Sequence, residues 1–153
     1  MTAILPKKIP FLVVFISLFL TACSPDTSSR YYQKTSNYNF EDTLMNLDIA
    51  ISEHNYRIIH RSNIGQAIRD RGEADYPLST VISFCNITYA HEMMQINTNL
   101  INDMPCIVTV REELSAVIVG TKLMTINSNN KQQNEFAIKI NKNLRSIVEA
   151  TIE

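Results

Sequence analysis

Glycine is nearly absent from this chain, with three residues in 153: Gly65, Gly72 and Gly120. They lie far apart, so no glycine-rich loop exists to cradle phosphates with backbone N–H groups. Histidine is as scarce, at three. The stretch "HEMMQ" from His91 to Gln95 puts glutamine where an H-E-x-x-H zinc protease needs its second histidine. No serine or cysteine sits in a sequence pattern with histidine and an acid that would mark a catalytic triad. There is no basic run and no interleaving of basic with aromatic residues, which removes the usual footprint of nucleic-acid binding. No apolar run reaches the roughly 20 residues that a membrane-spanning helix needs.

What is present begins with an address. Lys7 and Lys8 precede "IPFLVVFISLFL", Ile9 to Leu20. A positive start, a short apolar run and then small residues is the order of a secretory signal peptide. The run ends in "LTAC", Leu20-Thr21-Ala22-Cys23, which resembles the lipobox of bacterial lipoproteins. That resemblance implies lipidation of Cys23, cleavage before it and acylation of the new amino group. Several acyl chains hold a protein stably on a membrane where one does so only marginally. Ser24 stands where an aspartate would favour inner-membrane retention, so the resemblance implies an outer-membrane anchor facing the periplasm. Loss of residues 1–22 leaves twelve basic against fifteen acidic residues, a net charge of −3.

The remaining chain has room for one domain and one core. "SPDTSSRYYQKTSN" (24–37) is a Ser/Thr-rich tether whose end, "RYYQKTS", is β-prone enough to begin a first strand, and the boundaries expected are 1–22 signal, 23–34 lipidated cysteine and tether, and 35–153 domain. Asn39 and Asp42 make a near capping box, and Phe40, Leu44, Leu47 and Ile51 then share one helical face. This helix should end near His54-Asn55. Strands are expected over Tyr56–Ile64, Ser79–Ile87, Pro105–Glu112 and Ser115–Leu123, with a helical turn over Gly65–Gly72, a short helix at "TYAHEMMQIN" and a tight turn near Glu113-Leu114. Phe136, Ile140, Leu144, Val148 and Ile152 recur every four residues along a long helix from Gln133 to Ile152. These stripes need a surface to bury, and one antiparallel sheet is the only large one available. The expected fold is α+β, a two-layer sandwich with two main helices on one face of an antiparallel sheet.

Three stretches carry a family resemblance: Asn39–Ile64, "FCNITYAHEMM" (Phe84–Met94) and "MPCIVTVRE" (Met104–Glu112). They resemble the bacterial and archaeal family called domain of unknown function 302. Phe84, Cys85, Asn86, Ala90, Met104, Pro105 and Cys106 match its pattern, while Ile87 replaces a usual proline and Ile107 a common arginine. The resemblance implies a sheet with two helices on one face and a tendency to form homodimers. It implies no activity, so function has to come from sites.

Lipidation of Cys23 would leave an even pair, Cys85 and Cys106, in a compartment that permits disulfides. In a meander these lie on antiparallel neighbours, and directly opposed residues sit about 4.5 Å apart at Cα, within disulfide reach. Such a loop closure stabilises by roughly 3 kcal/mol in the chain-entropy model. The other readings are two buried thiols packing as small apolar residues, or a redox or ligand pair, although the spacing is not Cys-x-x-Cys. A soft-metal set of Cys85, His91, Met94 and Cys106 would suit Cu(I); against it, a methionine in the core and His91 in water is the plainer arrangement. His54 and His60 read as hydrogen-bonded or solvated. Arg57, Arg61, Arg69 and Arg71 cluster around the second strand, and parity puts Arg57 and Arg61 on one face, an anion site in outline but with Asp70, Glu73 and Asp75 close by. Asn86 completes the weak ligand candidates. The expectation is a non-catalytic envelope lipoprotein without cofactor, presenting its domain to a small ligand or another envelope protein. The alternative is a thiol redox or soft-metal role at Cys85 and Cys106.

Overall fold

The computed structural model describes residues 30–153. The signal segment, the Leu20–Cys23 motif and the start of the tether lie outside the described residues. Strand β1 (Tyr31–Thr35) opens the fold in the stretch expected to begin a first strand, a few residues ahead of the domain boundary expected at 35. Helix α1 (Phe40–Glu53) follows. Its start is set by Asn39, whose side-chain oxygen accepts the Asp42 N–H at 2.9 Å while its amide donates to the Asp42 carboxylate at 2.7 Å. Glu41 and Asp42 also place negative charge at the positive end of the helix dipole. The helix stops at His54, and Asn55 turns the chain out with φ 61°.

Strand β2 (Arg57–Asn63), helix α2 (Ile64–Arg69) and strand β3 (Ser79–Cys85) come next. Gly65 allows α2 to lie against the start of β3. A Cβ there would sit 2.5 Å from the Pro77 carbonyl oxygen and the Ser79 nitrogen, both backbone atoms that cannot step aside. Helix α3 (Ile87–Ile96) and a 3-10 turn (Thr98–Asp103) separate β3 from strand β4 (Cys106–Glu113). Strand β5 (Ala116–Lys122) pairs back on β4, and helix α4 (Lys131–Ile152), capped by Asn130, closes the chain. Leu114, at φ 56°, makes the left-handed turn between β4 and β5 and is fully exposed.

The five strands form one antiparallel sheet in the order β1-β5-β4-β3-β2. Strands β2 to β5 are a meander, and α1 carries the chain from β1 at one edge to β2 at the other. Both long helices cover the same face. Ile82, Phe84, Val108, Val110 and Val119 point inward by pleat alternation and are wholly buried, as are Leu47 of α1 and Ile147 and Val148 of α4. The α4 stripe lies as its period requires, with Phe136, Ile140, Leu144 and Val148 buried and Ile152 partly so. The α+β two-layer sandwich is therefore the fold. Polar atoms caught in it are paired: Thr43 shares a hydrogen bond with Ser36 at 2.8 Å and donates to the Asn39 carbonyl at 2.7 Å. Among the described residues, no buried side-chain nitrogen or oxygen lacks a partner.

Two local expectations need correction. The ladder between β2 and β3 slips between Ile58, opposite Phe84, and His60, opposite Ser83. This bulge at Ile59 inverts the alternation beyond it. Arg57 and Arg61 therefore fall on opposite faces, and Arg61 turns to the helix side, where it pairs with Asp48 of α1. The second correction concerns the cysteines. Cys106 stands opposite Phe84, whereas Cys85 pairs with Arg57 on the other side of β3. The two cysteines are one residue out of opposition, on alternate pleats, and both are free thiols rather than a disulfide.

Candidate functional site

Although out of register, Cys85 and Cys106 line the same cavity. Strand β3 ends at Cys85 and the chain turns at once into α3, which folds over the end of the sheet. Asn86 makes that turn: its side-chain oxygen accepts the N–H groups of Thr88 at 2.9 Å and Tyr89 at 3.1 Å, and its amide donates to the Asn55 carbonyl at 2.9 Å. The helix is then fastened to α4. Lys139 donates to both Glu92 carboxylate oxygens, at 2.8 and 2.7 Å, and lies 4.8 Å above the Tyr89 ring and 5.1 Å from that of Phe136.

Beneath α3 is a cavity of about 30 Å³ lined by Cys85, Cys106, Met93, Met104 and Met124, with Tyr56, Tyr89, Phe136, Ile140, Asp103, Asn86 and Ala90 completing the wall. Three of the six methionines of the chain meet here, from α3, from the segment before β4 and from the segment after β5. Met124 is held by its backbone: its N–H donates to Asn141 Oδ1 at 2.7 Å and its carbonyl accepts from Asn141 Nδ2 at 2.9 Å. Tyr56 packs edge-on against Phe84, with ring centroids 5.3 Å apart, and accepts a hydrogen bond from Asn143 at 3.3 Å. A second cavity of about 90 Å³ shares Asp103, Met104, Cys106 and Met124 with the first.

The electrostatics of this end favour neutral groups. Burial pushes the Cys106 thiol up to about 11, and Cys85 and Asp103 close by add to the rise. Burial also raises Cys85. Tyr56 is pushed up to about 12, chiefly by burial, against the opposing effect of its bond to Asn143. Among the described residues, no lysine, arginine or histidine belongs to the cavity wall. Asp103, at the rim, pairs with Arg30 at 3.4 Å.

The other sequence candidates fall elsewhere. His91 and Met94 are not in the wall; His91 is exposed on α3 beside Gln95, at 3.3 Å. His54 closes α1 by bonding the Ala50 carbonyl at 2.7 Å, and His60 is exposed on β2. Arg57 and Asn86 do meet, with Cys85, around an open surface hollow. Arg69 bonds the Tyr76 carbonyl at 2.6 Å and faces Glu112 at 3.5 Å, and Arg71 is exposed. Sequence reasoning missed Tyr56, Met93, Met104 and Met124. The signal for the methionines was their number beside two cysteines, but nothing local shows that they converge.

Residues 32–151 match the family described as Domain of unknown function DUF302. The chain belongs to the DUF302 family. A solved relative is similar in fold: the "uncharacterized conserved protein DUF302 from Bacillus stearothermophilus", at 16% identity and a TM-score of 0.72, over 79% of this chain and 97% of that one. No curated protein matches the chain. The DUF302 match thus spans all five strands and both long helices, and the sulfur-lined cavity lies inside it. Among the described residues, no helix of the domain is long and apolar enough to cross a membrane.

Proposed function

We propose that this chain is a non-catalytic lipoprotein of the cell envelope, anchored at the outer membrane through Cys23. Its DUF302 domain faces the periplasm and binds a small ligand in the cavity of Cys85 and Cys106. The address rests on Lys7, Lys8, the apolar run and Leu20-Thr21-Ala22-Cys23. The binding role rests on one observation: two free thiols, both raised by burial, in a mostly apolar cavity with no basic side chain among the described residues of its wall. A thiol–disulfide exchanger needs a thiolate; Cys85 directly precedes the Asn86 cap of α3 and lies opposite Arg57, yet burial still raises it. At about 11, Cys106 stays protonated at neutral pH and is a poor attacking group. Binding therefore fits this site better than redox exchange.

Two experiments test the reading. Cys23→Ser should move the protein from the membrane to the soluble fraction, and a variant that still partitions to membranes would refute the anchor. For the site, the full-length chain in detergent micelles is alkylated under anaerobic conditions, with and without periplasmic extract separated by size. Protection of Cys85 and Cys106 by the low-mass fraction, lost on dialysis, is the expected result. Protection only by the high-mass fraction would replace the small ligand with a protein partner. Protection by neither would remove the cavity as the binding site.

A further inference from the structure

The ligand class follows from the donors, and it rests on the reading of the cavity as the binding site. We propose that the cavity binds a soft monovalent cation, Cu(I) being the physiological form, through the sulfurs of Cys85 and Cys106 together with thioethers from Met93, Met104 and Met124. Size is the first argument. About 30 Å³ is room for an ion or a water or two, since a single water needs roughly 10–15 Å³.

Donor chemistry is the second. Five of the twelve wall residues carry sulfur, and none is a histidine. Thiolate and thioether are the donors that select Cu(I). Zn(II) also accepts thiolate but closes its structural sites with four thiolate, imidazole or carboxylate ligands, and this wall offers thioethers in their place. Among the described residues no three His, Cys, Asp or Glu side chains gather as such a set. Charge is the third argument: among the described residues the wall holds no cationic side chain, and its one carboxylate, Asp103, is paired with Arg30, so nothing in the wall draws an anion. Met93 is nearly buried and Cys106 and Met104 are partly so, which shields the ion from water and oxidant. His91 and Met94, the donors suggested by sequence proximity, take no part.

Binding needs no electron transfer. Each thiol that coordinates gives its proton to solvent and its lone pair to the metal, and Cu(I) enters and leaves as Cu(I). Because the thiols are protonated at neutral pH, each one engaged makes affinity rise about tenfold per pH unit.

The full-length chain in detergent micelles is titrated anaerobically with Cu(I) against bicinchoninate, a competing Cu(I) chelator. The expected result is one Cu(I) per chain, an all-sulfur X-ray absorption spectrum, proton release and protection of both cysteines from alkylation. Cys85→Ser and Cys106→Ser should each weaken binding by more than the about 10–100-fold that loss of even an outer-shell partner costs. The triple variant Met93→Leu, Met104→Leu, Met124→Leu keeps apolar volume and both thiols, and should also lose affinity while its circular dichroism stays native. Unchanged affinity in that triple variant would overturn the thioether ligands. Equal competition by Zn(II), pH-independent binding or nitrogen in the metal shell would overturn the site as assigned. If a low-mass periplasmic fraction protects the cysteines and Cu(I) alone does not, the cavity remains the binding site and the cation assignment fails.

Discussion

The two ends of the hydrophobic layer are built from different material. Under the middle of α1 and α4 the sheet meets branched and aliphatic side chains: Leu47, Ile82, Val108, Val110, Val119 and Val148 are fully buried. Under α3 the same layer turns to methionine, cysteine and tyrosine around a cavity. Branched residues have few rotamers and lock into one packing. Thioether chains are unbranched and polarizable, so they adapt around a gap or a guest. The lesson is that one end of the core is built from side chains with a single packing and the other from side chains able to adapt, and the second end holds both free thiols.

Leu47→Ala should break the rigid end most severely. It removes a wholly buried side chain between helix and sheet, where neighbours cannot close the gap, and should cost about 3–5 kcal/mol. Urea denaturation would show this as a lower midpoint at unchanged slope. A loss below about 1.5 kcal/mol would mean that this end relaxes as readily as the other, and the contrast would go.

Alkaline pH should act first on the sulfur end. Cys106 rises from an ordinary 9.0 to about 11 on folding, so above pH 9 the unfolded chain gives up its proton first and the native state binds more protons. Stability should therefore be full below about pH 9 and fall as pH rises through 11, by about 2–3 kcal/mol at 1.36 kcal/mol per pH unit. Tyr56, raised to about 12, extends the loss to still higher pH. Denaturant midpoints between pH 7 and pH 11 measure the effect, and Cys106→Ala should flatten the part between 9 and 11. A curve unchanged by that substitution would place the alkaline transition elsewhere.

Met93→Leu is the mildest change. Volume is nearly kept, so stability should fall by less than about 1.5 kcal/mol by thermal or urea melting. A larger loss would show that the sulfur end is packed as specifically as the Leu47 region.

Much of the architecture could be read along the chain because it is local. Asn39 and Asp42 announce the start of α1, the four-residue steps of Phe136, Ile140, Leu144 and Val148 define the buried face of α4, and Ile82 and Phe84 alternate inward. The site could be read only in part. Cys85 and Cys106 stood out as a pair, but a straight count of register put them opposite each other, and the ladder sets Phe84 there instead. Parity likewise failed for Arg57 and Arg61, because one extra residue at Ile59 leaves no mark in hydrophobic pattern.

By itself, then, the sequence determined the element order and the faces of the helices, since each depends on residues a few positions apart. Tertiary structure alone decided which groups share the cavity. Met93, Met104 and Met124 come from three separate segments, and only the folding of α3 across the end of the sheet, with Asn141 holding Met124 by its backbone, brings their side chains beside the two thiols. Convergence of that kind depends on register and crossover between distant segments, which no local spacing encodes.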